Sequence, residues 1–177
     1  MLGWKYEGTV PPDESFVAIG APHTSNWDFV VFLAVLWEFR VRAGFLGKDT
    51  LFRWPLGILM RRLGGIPVNR ARPLGVIDEA VAAFGKTRPM ILVIAPESTR
   101  GRTPYWRSGF HRIAAAAEVR ILPAFVDRSE RRAGFGKPIP VTGDLANDMK
   151  NIRSYYRSKF ETAPKNMGPI RLRSEDG

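Results

Sequence analysis

Short apolar runs alternate along this chain with longer stretches that mix apolar and polar residues. The short runs are typical of buried strands, and they lie at residues 16–19, 43–46, 66–68, 90–95 and 121–126. The longer stretches carry apolar residues at helical spacing, and they lie at about residues 26–39, 55–63, 74–84, 108–118 and 144–160. Strands that alternate with helices predict an α/β fold, in which a mostly parallel (mixed) central sheet is flanked by helices.

Local signals add detail to three places in this pattern. Ser25 or Asn26 is suited to cap the first helix, and Asp28 falls in its first turn, near the positive end of the helix dipole. Pro123 interrupts the last apolar strand, which predicts an edge position or a bulge there. The polar tail at residues 161–177 contains two Pro and two Gly, and we expect it to be loosely held.

Length and hydropathy predict one domain over residues 1–177 and no membrane-spanning helix. A chain of 177 residues is long enough for a single proper core. The longest apolar run has nine residues, from Phe29 to Trp37, whereas a spanning helix needs about 20. The N-terminus lacks the long apolar stretch of a secretory signal. Because the chain has no cysteine, we expect it in the reducing cytoplasm.

The net charge of +10 indicates an anionic partner or surface. The chain has 20 Arg and 7 Lys, a ratio that favours recognition of phosphate or carboxylate groups by planar guanidinium forks, although genomic base composition can produce the same bias. A nucleic-acid-binding module would explain the charge as well. The arginines are scattered, however, and no nucleic-acid-binding motif is present, so we do not expect a nucleic-acid partner.

Two groups of polar residues follow predicted strands, where ligands of parallel sheets gather. His23 and Asp28 lie across a strand-to-helix turn, so the carboxylate can fold back and orient the imidazole as a general base. The alternative is a structural histidine that caps a turn. Glu97, Ser98, Thr99 and Arg100 follow the most apolar strand and offer groups that a phosphate ester requires, unless they form a solvated polar loop.

Together with two further blocks, these groups resemble the glycerolipid acyltransferase family typified by lysophosphatidic acid acyltransferase. The resemblance covers about residues 16–126. Its blocks are H-x₄-D from His23 to Asp28, a K-x-x-L…P…G stretch at Lys48, Leu51, Pro55 and Gly57, a G-x-I-x-x-R block at Gly65 to Arg70, a P-E-G-T-R block at Pro96 to Arg100, and a closing V-P block at Leu122 and Pro123. Two positions depart from the family pattern, because Ser98 replaces a usual glycine and Pro67 a common phenylalanine.

The resemblance implies a glycerol-3-phosphate acyltransferase-like fold and one-step acyl transfer. His23, oriented by Asp28, would remove a proton as an acceptor hydroxyl attacks the thioester of acyl-CoA or acyl carrier protein, with no other cofactor. Arg70, Glu97, Ser98, Thr99 and Arg100 would hold the polar head of a lysophosphatidate-like lipid. Ser98 and Pro67 leave a different lyso-lipid or a glycolipid as the alternative acceptor. We expect no metal site, and we interpret His111 as structural or superficial.

Residues 51–62 mix large apolar side chains, a tryptophan and three arginines. This composition fits a patch that binds an anionic membrane surface, and a buried helix with arginines at its edges is the alternative. The first interpretation predicts a cytoplasmic protein that is peripheral on the inner face of the membrane. A basic membrane-binding protein without catalytic activity would show the same pattern. Release of free CoA in the presence of a lyso-lipid distinguishes the enzyme from it.

Overall fold

The computed structural model describes residues 3–23, 25, 27–69, 73–86, 89–99, 101–160, 162, 164 and 167–175. Within these residues the strands are β1 (Lys5–Glu7), β2 (Phe16–Gly20), β3 (Ala43–Lys48), β4 (Gly65–Val68), β5 (Ile91–Ile94), β6 (Arg120–Asp127) and β7 (Arg132–Phe135). The α-helices are α1 (Trp27–Glu38), α2 (Leu56–Arg62), α3 (Pro73–Lys86), α4 (Gly109–Ala116) and α5 (Leu145–Lys159). Two 3₁₀ turns, Asp49–Phe52 and Arg173–Glu175, complete the described elements.

All seven strands form one sheet in the order β1-β7-β6-β2-β5-β3-β4. Every neighbouring pair is parallel except β6 and β7, so β7 and β1 run against the other five strands. The prediction of an α/β fold with a mostly parallel mixed sheet is confirmed. As a result, the carboxyl ends of β2, β5, β3, β4 and β6 meet at one edge of the sheet, where the predicted site residues follow their strands.

The core lies on both faces of the sheet because its central strand is apolar at every position but the last. In β2, Phe16 and Ala18 face a cluster that includes Val31 and Val35 of α1. The alternate residues face a larger cluster on the other side of the sheet, which includes apolar residues of α3, α4 and α5. Successive side chains of a strand point to opposite faces, so a strand buried on both sides carries a continuous apolar run.

The sequence pattern did not indicate β1 and β7, which are short and lack a clear apolar alternation. Both strands are defined by their pairing, in which residues of β1 lie in parallel register with residues of β7. Gly134 of β7 is required there, since a Cβ at this position would lie 2.0 Å from the backbone oxygen of Glu7. The backbones therefore approach more closely than a side chain at position 134 would permit.

Pro123 lies inside the sheet and not at its edge, but the predicted bulge is present in the antiparallel pairing beside it. Ala124 pairs with Phe135 and Ile121 with Ile139, so three steps along β6 face four steps along the partner. β6 has neighbours on both sides, and its parallel register with β2 continues without a break from Arg120 to Ala124. The carbonyl oxygen of Pro123 accepts a hydrogen bond of 2.8 Å from the backbone N–H of Gly136, one residue beyond the end of β7. The nitrogen of Pro123 points to the same side, at the bulge, and the pairing resumes at Ile121 and Ile139.

The described part of the tail packs against the body of the protein. Met167 and Leu172 are buried with the large core cluster, and Leu172 forms an isolated parallel bridge with Trp106. This differs from the loose tail expected from its polar composition, because two apolar residues and a backbone bridge hold residues 167–175. In the part of the chain that the structure describes, no helix has both the length and the hydropathy needed to span a membrane.

Candidate functional site

His23 and Asp28 lie together at the carboxyl end of β2, on either side of the turn that leads into α1. Nδ1 of His23 is 3.3 Å from Oδ2 of Asp28. The imidazole side chain is 32% exposed, whereas the carboxylate is 10% exposed. A carboxylate beside Nδ1 favours the tautomer that carries the proton on that nitrogen, which leaves Nε2 able to accept one. The pair has the geometry that a general base with an orienting carboxylate requires.

The local sequence stabilises the turn between these two residues. The backbone N–H of Ser25 donates a hydrogen bond of 2.7 Å to Oδ2 of Asp28, and the backbone N–H of Asp28 donates to the carbonyl of Ser25. The hydroxyl of Ser25 accepts from the backbone N–H of Trp27, the first residue of α1, as expected of a capping residue. Asn26, the other predicted cap, lies outside the described residues.

A second turn carries Glu97 to the same place from β5, the strand next to β2. Ile19 pairs with Ile94 in the parallel register, and His23 and Glu97 each follow the last residue of their strand by three positions. The backbone N–H of Ser98 donates 3.2 Å to the carbonyl of Ala95, which closes a turn with proline in its second position. Oε1 of Glu97 accepts a hydrogen bond of 3.2 Å from the backbone N–H of His23.

Glu97 is a buried carboxyl group with one oxygen that lacks a hydrogen bond. The residue is 6% exposed, and among the described residues Oε2 has no partner. Burial raises the pKa of Glu97, and the charge of Asp28 acts in the same direction, while the hydrogen bond from His23 opposes them. Its bond to the His23 backbone shows that Glu97 ties the two turns together, a contact that the sequence spacing did not reveal.

The other predicted residues of the second turn are exposed or lie outside the described residues. Ser98 and Thr99 are exposed, and the hydroxyl of Thr99 accepts 3.3 Å from the backbone N–H of Gly101. Ser98 has a φ of +57°, in the left-handed region that glycine adopts more easily. Arg70 and Arg100, the two predicted headgroup arginines, lie outside the described residues. The structure therefore brings together His23, Asp28 and Glu97.

Tyr156 of α5 is a residue near the site that the sequence did not single out. Its hydroxyl lies 2.8 Å from the carbonyl oxygen of Ile19 and 2.9 Å from that of Ala124, at the end of the ladder between β2 and β6. The hydroxyl donates its one proton between these two carbonyls. The helical spacing of Met149, Ile152 and Tyr156 indicates a buried face, but nothing local predicts a hydrogen bond to residues 137 and 32 positions away.

His111, the second histidine, is buried and bonded rather than superficial. Its Nε2 lies 2.8 Å from Oδ2 of Asp148, a fully buried carboxylate of α5. Asp148 also accepts hydrogen bonds from the backbone N–H and the hydroxyl of Thr142. This arrangement supports the structural alternative for His111. No group of three histidine, aspartate or glutamate side chains that could hold a metal ion occurs among the residues the structure describes.

Residues 51–62 are largely exposed. Leu51, Trp54, Leu56, Ile58 and Leu59 are among the exposed large apolar residues, and within α2 only Gly57 is buried. Arg53, Arg61 and Arg62 are exposed too. The buried-helix alternative for this segment is therefore wrong, since a helix packed into the core would hide its apolar side chains.

Comparison with known proteins identifies the family. Residues 5–127, more than half of the chain, match the profile of a family described as Acyltransferase. No curated protein sequence matches the chain. Among solved structures, the chain is similar to the 1-acyl-sn-glycerophosphate (LPA) acyltransferase PlsC from Thermotoga maritima, with a TM-score of 0.65 and 17% identity. The alignment covers 90% of this chain and 72% of that one, and at this identity the likeness concerns the fold.

Proposed function

Because this chain belongs to the acyltransferase family, we propose that it moves a fatty acyl group from a thioester to a hydroxyl of a lysophosphatidate-like lipid. The observation that carries the proposal is the approach of Nδ1 of His23 to Oδ2 of Asp28, 3.3 Å, at the carboxyl end of a central strand. Ligands of parallel sheets bind at this edge, and the half-buried imidazole can be reached from solvent.

In the proposed reaction, His23 acts as the general base through Nε2. It takes the proton of the acceptor hydroxyl as that oxygen bonds to the thioester carbonyl carbon. The carbon–sulfur bond then breaks, and the thiolate of the donor receives the proton from the imidazolium. Asp28 stabilises the imidazolium and holds the ring in one orientation. Glu97 contributes by bonding the backbone of His23, so it positions the base rather than taking up the proton.

The acceptor is proposed to carry a phosphate because both arginines of the family pattern are retained. In the sequence, Arg70 comes two residues after β4 and Arg100 six residues after β5, and the carboxyl ends of these two strands lie at the same edge of the sheet as the end of β2. A buried guanidinium without an anion costs several kcal/mol, so two retained arginines favour a phosphate over a neutral glycolipid hydroxyl. Glu97, Ser98 and Thr99 are the other residues proposed for the headgroup, and the exposed hydroxyls of Ser98 and Thr99 can donate to it.

The donor is proposed to be acyl-CoA or acyl carrier protein, both of which are anionic and suit a protein with a net charge of +10. We further propose that the protein works peripherally on the inner face of the membrane. The exposed apolar residues and arginines of residues 51–62 support this part of the proposal. Turnover of matched palmitoyl donors, one on CoA and one on the carrier protein, identifies the donor.

The proposal is tested by acyl transfer from palmitoyl-CoA and palmitoyl-acyl carrier protein to lysophosphatidate, followed as release of the free thiol. His23→Ala should lower turnover by about 10²–10⁴, the usual contribution of a general base. Asp28→Asn should lower it severely as well, while the exposed Asp13→Asn should not change it. Circular dichroism verifies that each variant is folded. Near-native turnover of a folded His23→Ala protein would refute the mechanism.

The acceptor is tested with a panel of lyso-lipids and with two neighbouring arginines. Arg100→Ala should raise the KM for lysophosphatidate by about tenfold or more, because it removes charged hydrogen bonds, and should leave the donor KM nearly unchanged. The exposed Arg102→Ala is the matched control and should change neither. Preference for an acceptor without phosphate would exclude the lysophosphatidate assignment and leave the acyl-transfer proposal standing.

A further inference from the structure

Every large apolar side chain that is exposed among the described residues lies in one of two segments. The first is α1 and the second is residues 51–59, at the start of the segment considered above. The exposed side chains are Trp27, Val30, Trp37, Leu51, Trp54, Leu56, Ile58 and Leu59. Scattered single apolar residues are normal on protein surfaces, but eight gathered in two segments indicate an interaction surface.

Helix α1 is apolar all round. No polar residue lies between Asp28 and Glu38. The inner side of the helix packs on the sheet through Val31 and Val35, but Trp37 is 86% exposed. A helix without a polar face is expected in a core or in contact with lipid. In the part of the chain that the structure describes, the outer side of α1 has no cover.

Helix α1 and the C-terminal end of α2 border the same groove. This groove has a volume of about 1400 Å³ and is lined by Leu33 and Trp37 of α1 and by Arg61 and Arg62 of α2, among other residues. The last turn of α2 therefore lies across the groove from the C-terminal half of α1. We call α1 and residues 51–62, with the groove between them, the docking face.

The docking face and its borders are positively charged. Residues 38–62 contain six arginine or lysine residues and two acidic residues, a difference of +4. The basic residues are Arg40, Arg42, Lys48, Arg53, Arg61 and Arg62. All six are exposed. Exposed tryptophans beside arginines suit the boundary between anionic headgroups and acyl chains, where the indole ring has both an apolar and a polar neighbourhood.

We propose that the docking face inserts into the surface of an anionic bilayer, with the outer side of α1 as its main apolar contact. This inference rests on the proposed function, since it supplies the route by which a membrane lipid reaches the site. Asp28 is in the first turn of α1, and His23 contacts it, so the catalytic pair lies at one end of the docked helix. The acceptor hydroxyl can then meet His23 at headgroup depth while its acyl chain stays in the bilayer.

A second copy of the chain fits this face less well. A two-fold interface places the same patch on both subunits, so the basic residues of one copy would approach those of the other. Residues 38–62 offer two acidic side chains, Glu38 and Asp49, against six basic ones. Anionic lipid matches both the charge and the apolar side chains.

The experiment measures co-sedimentation with vesicles of phosphatidylcholine and phosphatidylglycerol at low and high salt. Val30→Glu and Trp37→Glu should each lower the vesicle partition coefficient by about tenfold, because a carboxylate replaces an apolar contact at an anionic surface. Ala116→Glu is the matched control, since it adds the same charge to an exposed position of α4, on the opposite face of the sheet, and it should bind like the wild type. Brominated acyl chains should quench tryptophan fluorescence of the wild type, and Trp37→Phe should reduce the quenched fraction.

The outcomes separate this inference from the proposed function. Unchanged vesicle binding by folded Val30→Glu and Trp37→Glu proteins would overturn it. The inference would also be overturned if the wild type were a dimer in sedimentation velocity and did not bind vesicles, while the Val30→Glu protein were a monomer. The inference is supported if these variants lose vesicle binding but still acylate a short-chain acceptor, dispersed as monomers, at the wild-type rate. Vesicle binding without any acyl transfer would refute the proposed function and leave the docking face in place.

Discussion

The backbone of Ser98 shows what one residue contributes to the site. A φ of +57° costs a serine about 1–2 kcal/mol in steric repulsion, yet the turn holds Ser98 in this conformation. The hydrogen bond from Ser98 to the carbonyl of Ala95 and the burial of Glu97 stabilise this shape. Ser98 therefore keeps the backbone conformation that glycine would adopt freely, because the surrounding turn imposes it.

The buried carboxyl group of Glu97 leads to a prediction about how the free energy of unfolding depends on pH. Burial raises the pKa of Glu97, so the folded protein binds this proton more tightly than the unfolded chain does. The free energy of unfolding should accordingly decrease as the pH rises from about 4.5, the ordinary value, up to the pKa of the folded state. In Glu97→Gln the side chain cannot ionise, and its oxygen can still accept from His23, so this slope should disappear.

Urea unfolding of wild type and Glu97→Gln across that pH range measures the effect. The difference in stability between the two proteins should grow with pH in favour of the variant and then level off. The exposed Glu118→Gln is a suitable control and should follow the wild type. Parallel pH profiles for wild type and Glu97→Gln would contradict the raised pKa.

Helix α5 links the site to the rest of the fold. It packs on the sheet through the buried Met149, Ile152 and Tyr156. Tyr156 bonds the carbonyls of Ile19 in β2 and Ala124 in β6. Ile19 comes four residues before His23 in the sequence, so this contact lies just before the turn that carries the histidine. Tyr155, its neighbour, has a buried hydroxyl without a hydrogen-bond partner among the described residues. Burial raises the pKa of Tyr155, which keeps this hydroxyl neutral.

These adjacent tyrosines give a matched test. Tyr156→Phe should lower the free energy of unfolding by about 1–2 kcal/mol, because the buried hydrogen bond that the hydroxyl shares between the carbonyls of Ile19 and Ala124 is lost. It should also reduce kcat by about tenfold with little change in acceptor KM, since the turn that carries His23 loses a support. Tyr155→Phe should be neutral or slightly stabilising, because it removes a buried hydroxyl that has no partner. Equal effects of the two substitutions would exclude the supporting role of Tyr156.

Three carboxylates with lowered pKa values, Glu7, Asp127 and Asp148, stabilise the molecule, and Glu7 and Asp148 do so by joining distant parts of the chain. Lys159 lowers the pKa of Glu7 through a hydrogen bond that joins α5 to β1. Burial alone would raise the pKa values of Asp127 and Asp148, but hydrogen bonds outweigh burial and lower both pKa values. Ser129 is the main donor to Asp127, and His111 and Thr142 are the main partners of Asp148. Their stabilising effect is present above the ordinary values and is lost as the pH falls through the folded pKa values. The protein should therefore lose stability below about pH 4.

Asp148→Asn tests this at the best-buried of the three. The variant should lose about 1–3 kcal/mol at pH 7, because the carboxylate accepts charged and neutral hydrogen bonds in the core. The difference from the wild type should shrink as the pH falls below 3.8, the ordinary pKa, where the wild-type carboxylate also becomes protonated. Exposed Asp78→Asn serves as the control in the same unfolding series. A difference that stays constant down to pH 2 would contradict the prediction.

Features that depend on neighbouring residues could be predicted from the sequence. Apolar periodicity is a property of a few consecutive positions, so it indicated each of the five helices and the strands β2 to β6, and with them the α/β class. His23 and Asp28 are five positions apart, and a single strand-to-helix turn is enough to bring them together. The ordered motif blocks identified the family, because they too are local patterns.

Features that join residues far apart in the chain depend on the three-dimensional fold. The strands β1 and β7 form because they pair with each other and β7 pairs with β6, although neither has a strand pattern of its own. Glu97 reaches the backbone of His23 across 74 positions, and Asp148 reaches His111 across 37. The outer side of α1 stays exposed although its sequence is that of a buried helix. Hydrogen bonding and burial depend on distance in space, and chain spacing determines that distance over a turn or two of backbone and no further.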